Sequence, residues 1–187
     1  MQNWKLLTKE NWDDFEALFG KHRGVRGGCW CVFHQVGSGA ANKLGKQGRH
    51  DFHEARVKEE GLATGLIYYD EGVPVAWCSF GPAKLFEQFE RSRSYQALQK
   101  RDPWRPDWRI VCTFVDKDRR QKGLQAKVAE AAMQAIRQAG GGKVEVYPFD
   151  YPDSVKPNYN GTVRLFNALG FTEAERLGIT VVMRKEI

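Results

Sequence analysis

The sequence predicts a mixed α+β fold, and three stretches of it support this prediction. Two apolar runs, at residues 66–69 and 73–80, flank the turn "DEG", which is typical of a β-hairpin. Residues 108–115 are rich in β-branched and aromatic side chains and predict a buried strand. An alanine-rich helical pattern and the strand "KVEVY" follow, an order that predicts a strand–helix–strand unit with parallel strands.

The first third of the chain predicts a short strand, two helices and a long irregular stretch. Residues 4–7, "WKLL", indicate a strand, and "TKENWDDFEALFGK" indicates a helix. Residues 20–50 are basic and rich in glycine, which predicts irregular structure around the apolar "CWCVFH". "RHDFHEARVKEEG" predicts a helix that ends at Gly61. The first helix has apolar side chains at helical spacing: Trp12, Phe15, Leu18 and Phe19.

The part after the hairpin predicts three helices and the remaining strands. "AKLFEQFERSRSYQALQK" indicates a surface helix, and "DPWRPDW" indicates a connection broken by proline. A helix is expected over residues 122–139, ended by three glycines at 140–142. "GTVRLFNALGF" predicts a last helix that stops at Gly170, and "ITVVMRK" predicts a closing strand. The helix at 122–139 has an apolar stripe at a period near 3.6: Leu124, Val128, Ala131, Ala132, Ala135, Ile136 and Ala139.

Length and composition indicate one domain, residues 1–187, with 42% apolar residues to form a core. No apolar run is long enough to cross a bilayer, and the polar start "MQNWKLLTKENW" lacks a secretion signal, so we expect a cytoplasmic protein without membrane contact. The four cysteines are expected to be reduced. The net charge of +6 is compatible with nucleic acid, an anionic cofactor or an acidic substrate.

The loop that precedes the helix at 122–139 places several cations beside a glycine. Arg119, Arg120, Lys122 and Gly123 lie where a helix N-terminus already carries positive charge. Unpaired N–H groups at such a terminus bind anions, and a glycine lets the backbone approach a phosphate. The loop therefore predicts a phosphate-bearing ligand. Neither G-x-x-x-x-G-K-[ST] nor G-x-G-x-x-G is present, which argues against the two commonest nucleotide loops.

This loop resembles the acetyl-coenzyme A loop of the GNAT N-acetyltransferase superfamily, whose pattern is [QR]-x-x-G-x-[GA]. The chain reads "RQKGLQ" from Arg120, with Gln125 where glycine or alanine is usual. "CTFVDKDRR" is similar to the strand end that precedes the loop in that family, and "VRLFNALGF" resembles its second signature. "CWC", "GVPVAWCSFGP" and "VEVYP" match an extended form of the pattern. The alternative is an ordinary strand-to-helix turn with a solvated basic patch.

The resemblance implies a GNAT-like fold: a central mixed sheet of six or seven strands, with splayed parallel strands and helices on both faces. It implies acetyl-coenzyme A as co-substrate, with the pantetheine paired to the strand at 113–115 and the diphosphate on the backbone at 121–125. An N–H near Phe114 or Val115 would face the thioester carbonyl. The cofactor-binding residues implied are Thr113, Phe114, Val115, Arg120, Gln121, Lys122, Gly123, Leu124, Gln125, Asn160 and Phe166.

The reaction implied is direct transfer of the acetyl group to a primary amine. Because an alkylamine is protonated near neutral pH, a base should remove a proton, and the candidates are Glu145, Asp150 and, through water, Tyr147. Glu145 could equally be paired with a nearby cation. The family often protonates the leaving thiolate with a tyrosine on the last helix, where this chain has Phe166. Tyr159 could replace it if the chain folds back.

The acceptor pocket is the least determined part of the site. Trp30, Trp77 and Cys78 are candidate walls, although packing is at least as good an explanation. Cys29 and Cys31 with His34 could suggest a metal, but the second ligand pair of a zinc finger is missing, so we expect no metal. We interpret this segment as an apolar lip over the acceptor cleft or as plain core. A small amine, an antibiotic, a peptide N-terminus and a protein lysine all stay open.

Two other functions were weighed. A non-catalytic module that binds coenzyme A as a sensor or scaffold would fit the unusual residues Gln125 and Phe166. Nucleic-acid binding would fit the basic stretches "KHRGVRGG", "KLGKQGRH" and "RSRSYQALQKR", but they lack aromatic interleaving and suit a solvated face better. The sequence does not decide between a monomer and a homodimer.

Overall fold

The computed structural model describes residues 2–62, 64–120, 123–150 and 158–187, and within these ranges the strands form one seven-stranded sheet. The strand order is β1-β2-β3-β4-β5-β7-β6. Neighbouring strands are antiparallel except β4 and β5, which are parallel, so the predicted mixed sheet is confirmed. The strands are β1 (Trp4–Leu6), β2 (Gly65–Asp70), β3 (Val73–Pro82), β4 (Trp108–Val115), β5 (Lys143–Val146), β6 (Thr172–Leu177) and β7 (Thr180–Glu186).

The helices connect these strands, and none described has the length and apolarity that a bilayer crossing needs. Short 3-10 segments cover Lys9–Asn11, Ala83–Arg91 and Lys117–Arg119. The α-helices are α1 (Trp12–Gly20), α2 (Phe33–Val36), α3 (Ser38–Lys58, interrupted at Gly45), α4 (Arg93–Arg101), α5 (Leu124–Gln138) and α6 (Val163–Ala168).

Helices cover both faces of the sheet, as expected. Alternate residues of a strand point to opposite faces. On β2, Leu66 packs in the cluster that contains the apolar side of α5, whereas Ile67 packs in the cluster that contains the apolar side of α1. On β3, Cys78 and Trp77 divide in the same way. The alanine-rich stripe of α5 is buried on the sheet, except Ala139, which lies exposed beyond the helix end.

Three local predictions were wrong. The strand β6 was missed because its sequence, "TEAERL", has no apolar alternation and its side chains are exposed or half-buried at the sheet edge. The stretch 20–50, predicted to be irregular, contains α2 and most of α3. There the Arg49 guanidinium, buried among the carbonyls of Gly27, Gly28 and Ala41, holds a glycine-rich helix in place. The expected surface helix at 83–100 is divided at Ser92, which caps α4.

The parallel strands separate after a short contact. Pairing of β4 with β5 covers Trp108–Ile110 and Val144–Val146, and β4 then continues to Val115 while β5 ends. Beyond this point the chain near residue 159 lies beside β4. The Thr113 N–H donates to the Tyr159 carbonyl (2.5 Å), and the Asn160 amide donates to the Val111 carbonyl (3.3 Å). The expected splay of the parallel pair is therefore present.

Candidate active site

Two cavities meet at the open edge of β4. The smaller cavity, about 330 Å³, lies at the start of α5 and is lined by Thr113, Arg120 and Gly123 among others. The larger cavity, about 510 Å³, lies on the other side and is lined by Phe114, Tyr147 and Asn160 among others. Tyr159 lines both cavities, so a molecule that occupies both of them contacts this side chain.

The start of α5 has the properties of an anion site. Gly123 precedes the helix in a left-handed conformation (φ 68°), and a Cβ there would point into open space. Among the described residues no side chain caps the helix, and its first turn contains no acidic residue, so its first N–H groups are available to an anion in the smaller cavity. Arg120 adds a cation, while Arg119 is paired with Asp70 (3.2 Å). Gln121 and Lys122 lie outside the described residues.

Gln125 bridges the two sides of the smaller cavity. Its side-chain amide donates to the Thr113 hydroxyl and to the Asn158 carbonyl, both at 2.9 Å. The Asn158 side chain in turn donates to the Phe149 carbonyl (2.9 Å). The long side chain in the place of the usual glycine or alanine thus connects β4 to the segment that lies beside it.

Beyond Thr113, whose N–H is bonded to the Tyr159 carbonyl, the edge of β4 faces the smaller cavity. Since the Thr113 N–H points away from β3, alternation along a strand directs the Val115 N–H to the same side and the Phe114 N–H toward Trp77 on β3. Val115 lines the smaller cavity and the Phe114 ring lines the larger one. Of the two candidate donors to a thioester carbonyl, Val115 is the one that faces the gap.

Phe166 and Asn160 have different surroundings. Phe166 is 1% exposed, packs edge-on against Phe171 in the core with α5, and does not line either cavity. Asn160 lines the larger cavity, although its side chain is engaged with β4. Tyr159, predicted to replace the usual tyrosine only if the chain folded back, does lie at the junction, with its ring 6.0 Å from that of Phe114.

The candidate bases are held in hydrogen bonds and ion pairs. Glu145 is fully buried and accepts from the hydroxyls of Tyr95 (2.6 Å) and Tyr147 (2.7 Å) and from Nε of Arg184 (2.9 Å). Its carboxylate is not part of either cavity lining. The Tyr147 ring lines the larger cavity, but its hydroxyl also accepts from Nε of Arg109 (2.8 Å). Burial, and then the Glu145 charge, raise the pKa of Tyr147 well above its usual value.

The third candidate base and the candidate walls lie away from the larger cavity. Asp150 forms an exposed ion pair with Arg176 (2.6 Å). Trp77 and Cys78 are fully buried, and Trp77 donates to Sγ of Cys31 (3.2 Å) from behind the wall. Trp30 stacks on Phe19 and is likewise one layer removed. The aromatic side chains predicted as walls thus support the wall residues.

The larger cavity is lined by Arg26, Phe89 and Cys112, which sequence reasoning missed. It is also lined by Cys29 and His34, which belong to the segment interpreted from the sequence as a lip over the acceptor cleft or as core. Burial, and then the Arg26 charge, lower the pKa of His34 to about 4, so its imidazole is neutral at physiological pH. Burial raises the pKa of Cys29 to about 12. The only signal in the sequence was the apolar "CWCVFH" inside a basic, glycine-rich stretch.

Comparison with known proteins identifies the fold. Protein-family models give no match to the chain, and the sequences of curated proteins give none either. Solved structures of N-acetyltransferases match over nearly the whole length. PaiA N-acetyltransferase from Thermoplasma acidophilum, in complex with coenzyme A, is 10% identical with a TM-score of 0.53, covering 98% of both chains.

Two further neighbours have acceptors of different kinds in their names. Ribosomal-protein-alanine N-acetyltransferase from Brucella melitensis is 15% identical, with a TM-score of 0.54 and 98% and 99% of the two chains covered. Mosquito arylalkylamine N-acetyltransferase like 5b is 12% identical, with a TM-score of 0.59 and the same coverage. The chain therefore has the GNAT fold that the loop and helix signatures implied, and at these identities the likeness concerns the fold alone.

Proposed function

We propose that this chain is an acetyl-coenzyme A-dependent N-acetyltransferase that transfers the acetyl group directly to a primary amine, with residues 1–187 acting as one domain. The observation that carries the proposal is the pair of cavities that meet at Tyr159 on the free edge of β4. One ends at an uncapped helix start suited to a diphosphate, and the other is large enough for an acceptor. A fold neighbour in complex with coenzyme A adds support.

The cofactor lies along β4 and the start of α5. The diphosphate accepts from the backbone at Gly123, Leu124 and Gln125 and pairs with Arg120, and Gln121 and Lys122 belong to the same predicted loop. The pantetheine arm adds to the edge of β4 as a strand does, from Thr113 to Val115, near Asn160. Phe166 contributes indirectly, because it packs in the core cluster that supports α5. Because the Thr113 N–H is bonded to the Tyr159 carbonyl, the arm pairs first with Val115.

The chemistry needs one new bond and one broken bond. The amine lone pair attacks the thioester carbonyl carbon, an N–C bond forms, and the C–S bond breaks with its electrons on sulfur. The Val115 N–H stabilises the negative oxygen, an effect typically worth about 3 kcal/mol. The proton that nitrogen loses ends on sulfur, and the Tyr159 hydroxyl, at the junction of the cavities, is placed to deliver it. That Glu145, or Tyr147 through water, removes the proton from the amine before it attacks stays a prediction.

Calorimetry with coenzyme A and a thiol-release assay with acetyl-coenzyme A and a panel of amines test the proposal. Gly123→Asp should abolish coenzyme A binding, because it puts a carboxylate where the phosphates lie. Gly61→Asp is the matched control, since Gly61 also has a left-handed φ (65°) and open space beyond it, but lies at the end of α3. Equal coenzyme A affinity of the two variants would refute the phosphate assignment.

A second candidate is a non-catalytic protein that binds coenzyme A as a sensor or scaffold. The enclosed Glu145 carboxylate and the Thr113 N–H already bonded to Tyr159 favour it. Tight coenzyme A binding that depends on Gly123, with no acetyl-coenzyme A consumed on any amine, is the result that would select this candidate over the enzyme.

A further inference from the structure

One wall of the larger cavity is a stack of three rings. The His34 and Phe89 rings are nearly parallel (4°) with centroids 6.1 Å apart, and the Phe89 and Tyr147 rings stack at 4.0 Å and 16°. All three side chains line the cavity. The Arg109 guanidinium already lies 5.4 Å from the Phe89 centroid, so the negative face of that ring is engaged. This wall suits a flat apolar ligand better than a second cation.

A second group of rings lines the same cavity from another packed cluster. Phe19 and Phe114 have centroids 5.4 Å apart, and Phe114 and Tyr159 have centroids 6.0 Å apart. These side chains pack with α1, whereas Phe89 and Tyr147 belong to the cluster around α4. The cavity is therefore the space between two aromatic clusters that do not merge, so a planar ring bound there can contact aromatic side chains of both clusters.

Among the described residues, the charge that lines the larger cavity has one sign. Arg26 is exposed at its lining and has no carboxylate within 4.0 Å among the described residues. The described lining residues include no Asp or Glu, and His34 is neutral because its pKa is about 4. An ammonium group entering this space loses water without gaining an anion and meets a like charge, whereas a carboxylate gains a partner in Arg26.

We infer that the acceptor is an aromatic amine whose nitrogen is uncharged at neutral pH and whose ring carries an anionic group that pairs with Arg26. The inference rests on the proposed acetyl transfer and names its substrate class. An uncharged amine attacks without prior deprotonation, which agrees with a site where the Glu145 carboxylate is enclosed. The N–C bond forms, the C–S bond breaks, and the amine proton passes to the thiolate.

Four probe amines separate ring, charge and basicity. 4-Aminobenzoate has all the inferred features, 4-aminobenzamide lacks the charge, 4-(aminomethyl)benzoate has an ammonium group at neutral pH, and hexylamine lacks the ring and the carboxylate. We expect kcat/KM for 4-aminobenzoate to exceed that for each of the others by about tenfold or more. An ion-paired hydrogen bond to Arg26 supports this factor over 4-aminobenzamide and hexylamine, and the protonated amine of 4-(aminomethyl)benzoate supports it there. Hexylamine or 4-(aminomethyl)benzoate turned over as fast as 4-aminobenzoate would overturn the inference and leave acetyl transfer standing.

Arg26→Gln tests the ion pair itself. It should lower kcat/KM for 4-aminobenzoate about tenfold more than it lowers that for 4-aminobenzamide. Arg23→Gln is the matched control, because Arg23 is an exposed arginine of the same loop with a left-handed φ (55°, against 33° at Arg26) and is not part of the cavity lining. An equal effect of the two changes on both substrates would contradict the pairing.

Calorimetry of 4-aminobenzoate with the coenzyme A-saturated protein separates the two proposals. Binding that Arg26→Gln weakens, without any turnover, would support the ligand class while refuting the enzyme. Turnover of other amines with no detectable binding of 4-aminobenzoate would refute the ligand class and support the enzyme. Protein that binds neither coenzyme A nor 4-aminobenzoate would refute both.

Discussion

Replacing Glu145 with glutamine should destabilise the protein rather than merely slow a reaction. The carboxylate is fully buried and accepts hydrogen bonds from Tyr95, Tyr147 and Arg184. Glutamine keeps the shape but removes the charge, and its NH₂ group is a donor where three donors already converge. The Arg184 guanidinium, 7% exposed, then loses its buried anion.

The loss of stability depends on the ion pair that Arg184 keeps after Glu145 is replaced. Breaking a buried ion pair by removing one partner costs about 3–5 kcal/mol. Arg184 also donates to Asp102, whose side chain is 54% exposed, so part of its charge stays compensated and we expect the low end, about 3 kcal/mol. In a chain of this size each 1 kcal/mol shifts Tm by about 2–4 °C, which gives a fall of about 6–12 °C.

Thermal and urea unfolding of Glu145→Gln, Arg184→Met and the double variant measure this directly. The double variant should recover part of the loss, because no unpaired buried charge is left. Asp150→Asn is the matched control, since Asp150 pairs with Arg176 at an exposed site where a pair is worth at most about 1 kcal/mol. A Glu145→Gln protein that melts within about 2 °C of the parent, yet has lost turnover, would show that Glu145 is a base and would refute this reasoning.

Three further outcomes test other parts of the site. Tyr159→Phe should lower kcat by about 10²-fold with unchanged coenzyme A affinity by calorimetry, and an unaltered kcat would remove Tyr159 as proton donor. A hydrogen bond from Cys112 lowers the pKa of Cys31 while that of Cys112 is raised, so iodoacetamide should alkylate Cys31 faster than Cys112 in peptide mapping, and 4-aminobenzoate should slow the alkylation of Cys31. Burial lowers the pKa of His34 and His53 to about 4 from 6.5, so the unfolded chain binds more protons between these values. Tm should therefore fall as pH drops from 6.5 to 4, and His53→Gln should flatten that slope; a Tm that is level over this range would contradict the buried neutral state.

The elements that could be predicted from the sequence are those whose side chains face a core with a clear period. The strand at 108–115 has the predicted bounds, and the hairpin and α5 differ by a residue or two at their ends. In each of them the apolar pattern and the buried face coincide. β6 has no such face because it closes the sheet edge, and α3 depends on Arg49, whose partners lie about twenty residues away in the chain. The edge position of β6 and the partners of Arg49 both depend on residues far away in the sequence, so no local pattern predicts them.

The two halves of the site differ for the same reason. The smaller cavity is built from one contiguous stretch, the end of β4 and the start of α5, so its cations and Gly123 were visible as a motif. The larger cavity takes single residues from distant segments, such as Arg26, Phe89 and Tyr147, each inside an unremarkable local sequence. Its aromatic candidates from the sequence, Trp30 and Trp77, pack against wall residues without lining the cavity: Trp77 is fully buried and donates to Sγ of Cys31, and Trp30 stacks on Phe19.

Buried charges on β4, β5 and β7 explain how these strands keep one register although β4 and β5 separate after a short contact. Arg109 on β4 lies opposite Glu145 on β5, and Glu145 lies opposite Arg184 on β7, so a row of alternating charge crosses three strands one residue before the last parallel pair. A row of apolar side chains would hold the strands together as well, but it would tolerate a slip in register. A shifted register would leave a buried arginine without its carboxylate, and such a charge costs several kcal/mol. The row therefore fixes the register of the three strands, and with it the position of Val146, beyond which β4 and β5 separate.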